Sequence, residues 1–137
     1  MKFVSLLFSC WCGIVSYCQQ SQKCELIDAL LKHEKAKKGF YFESHPEVPI
    51  VIVDTGNFFK DCSISGDYYG RKVEIVHNES DAGAVNYSNV IVNSISTSKS
   101  NKFRLTVFYK VRNAFFVVDL KKKRRRIVVS KFSGGHF

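Results

Sequence analysis

Phe103, Leu105, Val107, Tyr109 and Val111 alternate with Arg104, Thr106, Phe108, Lys110 and Arg112. This strict period of two predicts a half-buried antiparallel strand with one apolar face and one largely polar face. Asn113-Ala114 can turn the chain, and two further strands are predicted from Phe115 to Leu120 and from Ile127 to Phe132. Upstream, Asn89 to Ser96 and the β-branched run Ile50 to Val53 have strand character, as does Val73 to His77, where Val73 and Ile75 alternate with Lys72 and Glu74. His45-Pro46-Glu47-Val48-Pro49 is a break. Ser65-Gly66-Asp67 and Tyr69-Gly70 mark turns, and Asn78 to Ala84 reads as a loop.

Helical spacing appears only near the start of the chain. Cys24, Ile27 and Leu31, with Leu26 and Leu30 beside them, recur at intervals of three and four. Ser21 can cap the first turn, Glu25 and Asp28 suit the positive end of the helix dipole, and Lys32, Lys35, Lys37 and Lys38 suit its negative end. Gly39 can stop the helix, and Phe40 to Phe42 is expected to be a short extended piece. One amphipathic helix from Ser21 to Lys38, packed across a curved antiparallel sheet, makes an α+β fold.

The segment before the helix changes the reading of everything else. Lys2, an apolar run of thirteen residues from Phe3 to Val15, and the small residues Ser16 and Cys18 precede a polar stretch from Gln19. That is the pattern of a secretory leader spanning residues 1–18, which assigns the chain to the periplasm or the cell exterior. The alternative is lipidation at Cys10 or Cys18, which would hold the domain at a membrane. Thirteen apolar residues fall short of the roughly 20 needed to span a bilayer, and no second stretch of spanning length follows.

Residues 19–137 form a single domain with 20 basic and 12 acidic residues, a net of +8. Residues 19–98 hold 8 basic and 11 acidic residues. Residues 99–137 hold 12 basic residues and one acid, Asp119. Cleavage after Cys18 leaves Cys24 and Cys62, which in an oxidising compartment are expected to form a disulfide enclosing about 38 residues.

The order of helix Ser21 to Lys38 and the strands ending in Phe103 to Val111, Phe115 to Leu120 and Ile127 to Phe132 resembles the cystatin-like or nuclear-transport-factor-like shape. It is also similar to small exported bacterial proteins of unknown function with a final strand and a Gly-Gly-His tail, here Gly134-Gly135-His136. The resemblance implies a curved sheet wrapped on a helix. It assigns no activity, because that shape carries enzymes, binding modules and assembly domains alike. The nuclear-transport-type members usually carry extra helices before the sheet, where this sequence shows one clear helix, so their deep conical pocket is not expected.

The loudest chemical signal is Lys121-Lys122-Lys123-Arg124-Arg125-Arg126. Export removes a nuclear reading and makes nuclear nucleic acid an unsuitable partner. What remains is a solvated hairpin tip or a surface for an anionic glycan, a lipid headgroup, extracellular nucleic acid or an acidic protein surface. Lys110, Arg112 and Lys131 extend this anion-binding set, and Phe108 and Phe116 offer rings. His45, Glu47, Asp54, His77, Asp81 and His136 lack metal-ligand spacing, so no metal and no cofactor are expected. No Gly-x-Ser-x-Gly elbow occurs. Asp54 with His77 is the one acid/base pairing to weigh, and Cys62 with His77 is a thiolate pair only if Cys24 leaves Cys62 free. Asn78-Glu79-Ser80 and Asn86-Tyr87-Ser88 fit the N-glycosylation pattern. No catalytic residue is assigned. The expectation is a binding domain, with a small helix–sheet enzyme and an assembly module as alternatives.

Overall fold

The computed structural model describes residues 22–64, 66–82 and 89–137. The leader, the Ser21 cap and the Asn86 glycosylation motif lie outside them. Six strands form one open sheet in the order β2-β1-β3-β4-β5-β6. They are β1 (Ile50–Val53), β2 (Val73–Val76), β3 (Asn89–Lys99), β4 (Lys102–Tyr109), β5 (Ala114–Lys123) and β6 (Arg126–His136).

The sheet is mixed, not antiparallel throughout. β3 to β6 form the expected antiparallel meander, but β1 runs parallel to both β2 and β3. The reason lies in β1 itself. All four of its residues are buried, and an uninterrupted β-branched run with both faces covered is what a parallel strand needs.

Among the described residues two α-helices occur where one was expected, α1 at residues 22–31 and α2 at Glu34–Gly39. A continuous helix would bring Glu34, Lys35 and Lys38 onto the stripe of Ile27 and Leu31. The break at Lys32 and His33 resets the phase, so that Ala36 and Phe40 are fully buried while those charges are exposed. The Leu31 carbonyl, next to the break, accepts a hydrogen bond from the Tyr69 hydroxyl at 2.8 Å. Phe40–Phe42 is a turn and not an extended piece. Tyr41 takes a left-handed φ of 54°, which directs Phe40 and Phe42 into the core on either side.

The helices cover one face of the meander. Leu105, Val107 and Tyr109 of β4 and Ala114, Val118 and Leu120 of β5 are all buried on that face, as is Ile127 of β6. Phe40 packs edge-on against Tyr109 and Phe116, with ring centroids at 5.5 and 4.9 Å. Gly134 pairs with Phe116 across β5 and β6, and a Cβ there would sit 2.3 Å from the Phe116 ring. Glycine is therefore required for that ring to lie flat on the edge strand. β4 ends at Tyr109 and not at Val111. Residues Lys110–Arg112 coil into a single 3-10 turn closed by left-handed Asn113, leaving Val111 43% exposed.

Candidate functional site

Antiparallel strands alternate direction, so the β3–β4 turn at Ser100 and Asn101 and the β5–β6 turn at Arg124 and Arg125 fall at the same end of the sheet. The Lys122 amide donates to the Asn101 carbonyl at 2.9 Å and joins the two tips. The basic run is mostly strand: residues 121–123 finish β5, Arg126 opens β6, and only Arg124 and Arg125 turn. Strand β1 accompanies β3 only as far as Ile91, so the two hairpins extend beyond it.

This geometry collects eight cations at one end: Lys99, Lys102 and residues 121–126. Among the described residues none of the eight forms an ion pair. Register sets like charges side by side, Lys99 against Lys102, Lys102 against Lys121, and Lys123 against Arg126. Like charges directly opposite one another destabilise a sheet, so stability alone does not favour this arrangement.

The other predicted anion-binding residues lie elsewhere. Lys110 and Arg112 occupy the opposite end, on the order of 30 Å from Lys121 along β5. Lys110 Nζ sits 3.7 Å from Glu79, and the Arg112 guanidinium lies 4.3 Å from the centroid of the Tyr41 ring. Lys131 pairs with Asp119 midway along the sheet. Arg104 donates to both Asp119 oxygens, at 2.7 and 3.2 Å, and this contact holds the Asp119 carboxyl below the usual carboxylate range. Lys99 and Lys102 escaped the sequence reading because the basic run was treated as a local feature. The signal available was the strand count, since every second turn of a meander shares an end.

Phe116 is not a surface ring: it packs beneath Phe40 and Phe132 on the helix side. Its neighbour Phe115 faces the other way, paired with Phe108. A groove of 410 Å³ opens on that uncovered face, bordered by Ser96, Lys102, Arg104, Asp119 and Lys121. A second groove, of 690 Å³, runs between α1 and the start of β6, where Glu25 and Asp28 oppose Arg125 and Arg126. Its mixed signs give no net preference for an ion.

Asp54 and His77 do meet. They follow β1 and β2 directly, at the carboxyl ends of adjacent parallel strands, where ligand sites of open α/β sheets often lie. His77 Nδ1 is 3.8 Å from Asp54 Oδ2 and 3.3 Å from the Asp54 main-chain oxygen. The fully buried Asp54 carboxylate, however, accepts the Phe58 amide at 3.0 Å and the Phe59 amide at 2.7 Å. Both oxygens are committed to shaping the turn after β1. Asp54→Asn should therefore lower the unfolding free energy by roughly 1–3 kcal/mol, because one buried amide loses its acceptor. Urea unfolding measures this, and an unchanged midpoint would contradict the assigned role.

Cys24 and Cys62 stand at disulfide-bonding distance from one another, and this pairing engages Cys62 with Cys24 and not with His77. Among the described residues no group of three or more His, Cys, Asp or Glu side chains is arranged to hold a metal. No helix among them is long and apolar enough to cross a membrane. No protein-family model, curated protein or solved structure matches the chain significantly.

Proposed function

We propose that this chain is a non-enzymatic binding domain that engages an anionic partner through the cationic end of its sheet. The observation that carries the reading is the gathering of eight cations, none in an ion pair among the described residues, on two joined hairpin tips, in a register that stability alone disfavours. The leader pattern supports action outside the cytosol, with a lipid anchor as the alternative mode of export. The four-stranded meander, crossed on one face by helical residues, is the part of the fold that supports a cystatin-like kinship.

The test is elution from an anionic resin. Replacing residues 121–126 by glutamine should bring release at a markedly lower salt concentration, because exposed charges act within a Debye length of about 8 Å at physiological ionic strength. Neutralising Lys110 and Arg112 should leave the elution position unchanged. Equal shifts from both variants would mean that only net charge matters, and the reading would be abandoned.

One observation favours a second reading, a small enzyme. It is the placement of Asp54 and His77 at the carboxyl ends of two parallel strands. The engagement of both Asp54 oxygens by main-chain amides makes this the weaker of the two.

A further inference from the structure

Register divides the uncovered face of β3 to β6 into four rows that change character in order. Nearest the tips, Lys99, Lys102 and Lys121 lie side by side, with half-buried Val128 completing the row on β6. The next row is Ser96, Arg104, Asp119 and Lys131, and the third is Ser94, Thr106, Val117 and Ser133. The fourth sets Phe108 beside Phe115, with the Phe137 ring at 6.3 and 5.1 Å from them. None of these side chains is buried, whereas every buried side chain described in the same strands lies on the opposite face. The distance from Lys121 to Phe115 is about 20 Å along β5. A cationic row thus leads through hydroxyl groups and a bidentate Arg–Asp pair to aromatic rings, on a face that no described helix covers.

We infer that this face is the docking surface for an acidic oligosaccharide. Its sulfate or carboxylate groups lie on Lys99, Lys102 and Lys121, and its sugar rings lie over the hydroxyl row toward Phe115. The inference rests on the anion-binding reading above and names the partner class. Three observations select a glycan. The groove of 410 Å³ joins Lys102 and Lys121 to Ser96, Ser98 and Ser130 at the near end of this face, so charge and hydroxyl groups share one depression there, and the row of Ser94, Thr106 and Ser133 lies beyond it. Asp119 sits in the middle of the face, where its charge opposes a chain with an anion on every unit, and beside the Arg104 contact its oxygens keep lone pairs that can accept from sugar hydroxyls. A membrane surface would call for several exposed apolar side chains beside the cations, yet Val128 next to Lys121 is half-buried, and the large apolar residues exposed among those described are Tyr41, Val111 and Phe137, none of them at the tips.

The experiment compares three probes on the domain without its leader: a hexasaccharide sulfated on its terminal ring only, a single-stranded oligothymidylate, and phosphatidylcholine vesicles containing phosphatidylglycerol. The hexasaccharide should bind most tightly. Lys102→Gln with Lys121→Gln should weaken every probe. Thr106→Val with Ser133→Ala, both at solvent-accessible positions, should weaken the hexasaccharide alone, by roughly fivefold to thirtyfold for the loss of two hydrogen bonds. Circular dichroism confirms that each variant is folded. If the lysine variant acts and the hydroxyl variant does not, the cationic end stands and the glycan surface is overturned. Tighter binding of the oligothymidylate or the vesicles overturns it equally. If no probe binds in a salt-dependent way, the anion-binding reading falls as well.

Discussion

Replacing Arg71 by methionine is expected to lower the unfolding free energy by about 3–5 kcal/mol, the cost of leaving buried main-chain acceptors without their donor. Arg71 is 2% exposed. Its guanidinium donates through Nε to the Val48 carbonyl at 2.5 Å, through Nη1 to that of Phe42 at 2.8 Å, and through Nη2 to that of Pro49 at 3.2 Å. These acceptors belong to an irregular segment that supplies no ladder partners, so the planar fork of arginine takes the place of secondary structure. Burial pulls the Arg71 pKa below its ordinary value, yet the group stays charged at neutral pH. Methionine fills much of the volume and leaves three carbonyls without this donor. Arg71→Lys should recover only part of the loss, because one ammonium cannot span the same three directions. Urea unfolding midpoints measure both variants. A methionine variant within about 0.5 kcal/mol of the parent, the range of a neutral surface change, would refute the assignment.

Opening the Cys24–Cys62 link is expected to cost about 3–4 kcal/mol, the chain entropy released when a loop of this length is freed. The sequence separation is 38 residues, and the Cα atoms stand 5.3 Å apart, within the range a disulfide spans. The link joins α1 to the turn after β1. That helix keeps other ties: the Tyr68 hydroxyl donates to Asp28, the Tyr69 hydroxyl donates to the Leu31 carbonyl, and Leu26, Ile27, Leu30 and Leu31 are buried in the core. Reduction should thus destabilise the fold without releasing the helix. Urea unfolding of the domain with and without reductant, alongside Cys24→Ala with Cys62→Ala, should show equal losses. Identical midpoints in oxidised and reduced protein, or two reactive thiols in the denatured unreduced chain, would exclude the bond.

The antiparallel meander was legible because its strands alternate residue by residue, and the covered face follows from that alternation at Leu105, Val107 and Tyr109. The parallel pairing of β1 was half visible. Its unbroken Ile-Val-Ile-Val run signals burial on both faces, but nothing local says which strands flank it. The helix break was hidden, since neither proline nor glycine marks Lys32 or His33; it follows from keeping Glu34, Lys35 and Lys38 out of a core that Phe40 must enter. Phe115 and Phe116 were indistinguishable from local composition, because which of two adjacent rings faces the helices depends on register with β4. Arg71 carried no signal at all. Its three acceptors are brought to it by the path of the chain between Phe42 and Pro49.

The concentration of cations on the hairpin tips gives the domain a permanent electric moment along its strands. An approaching polyanion exerts a torque on such a body before any contact forms, turning the tips toward it. The effect appears in the association rate more than in residence time, and it fades as ionic strength shortens the reach of the field. Capture would therefore begin as an end-on encounter, with the open face reached only afterwards.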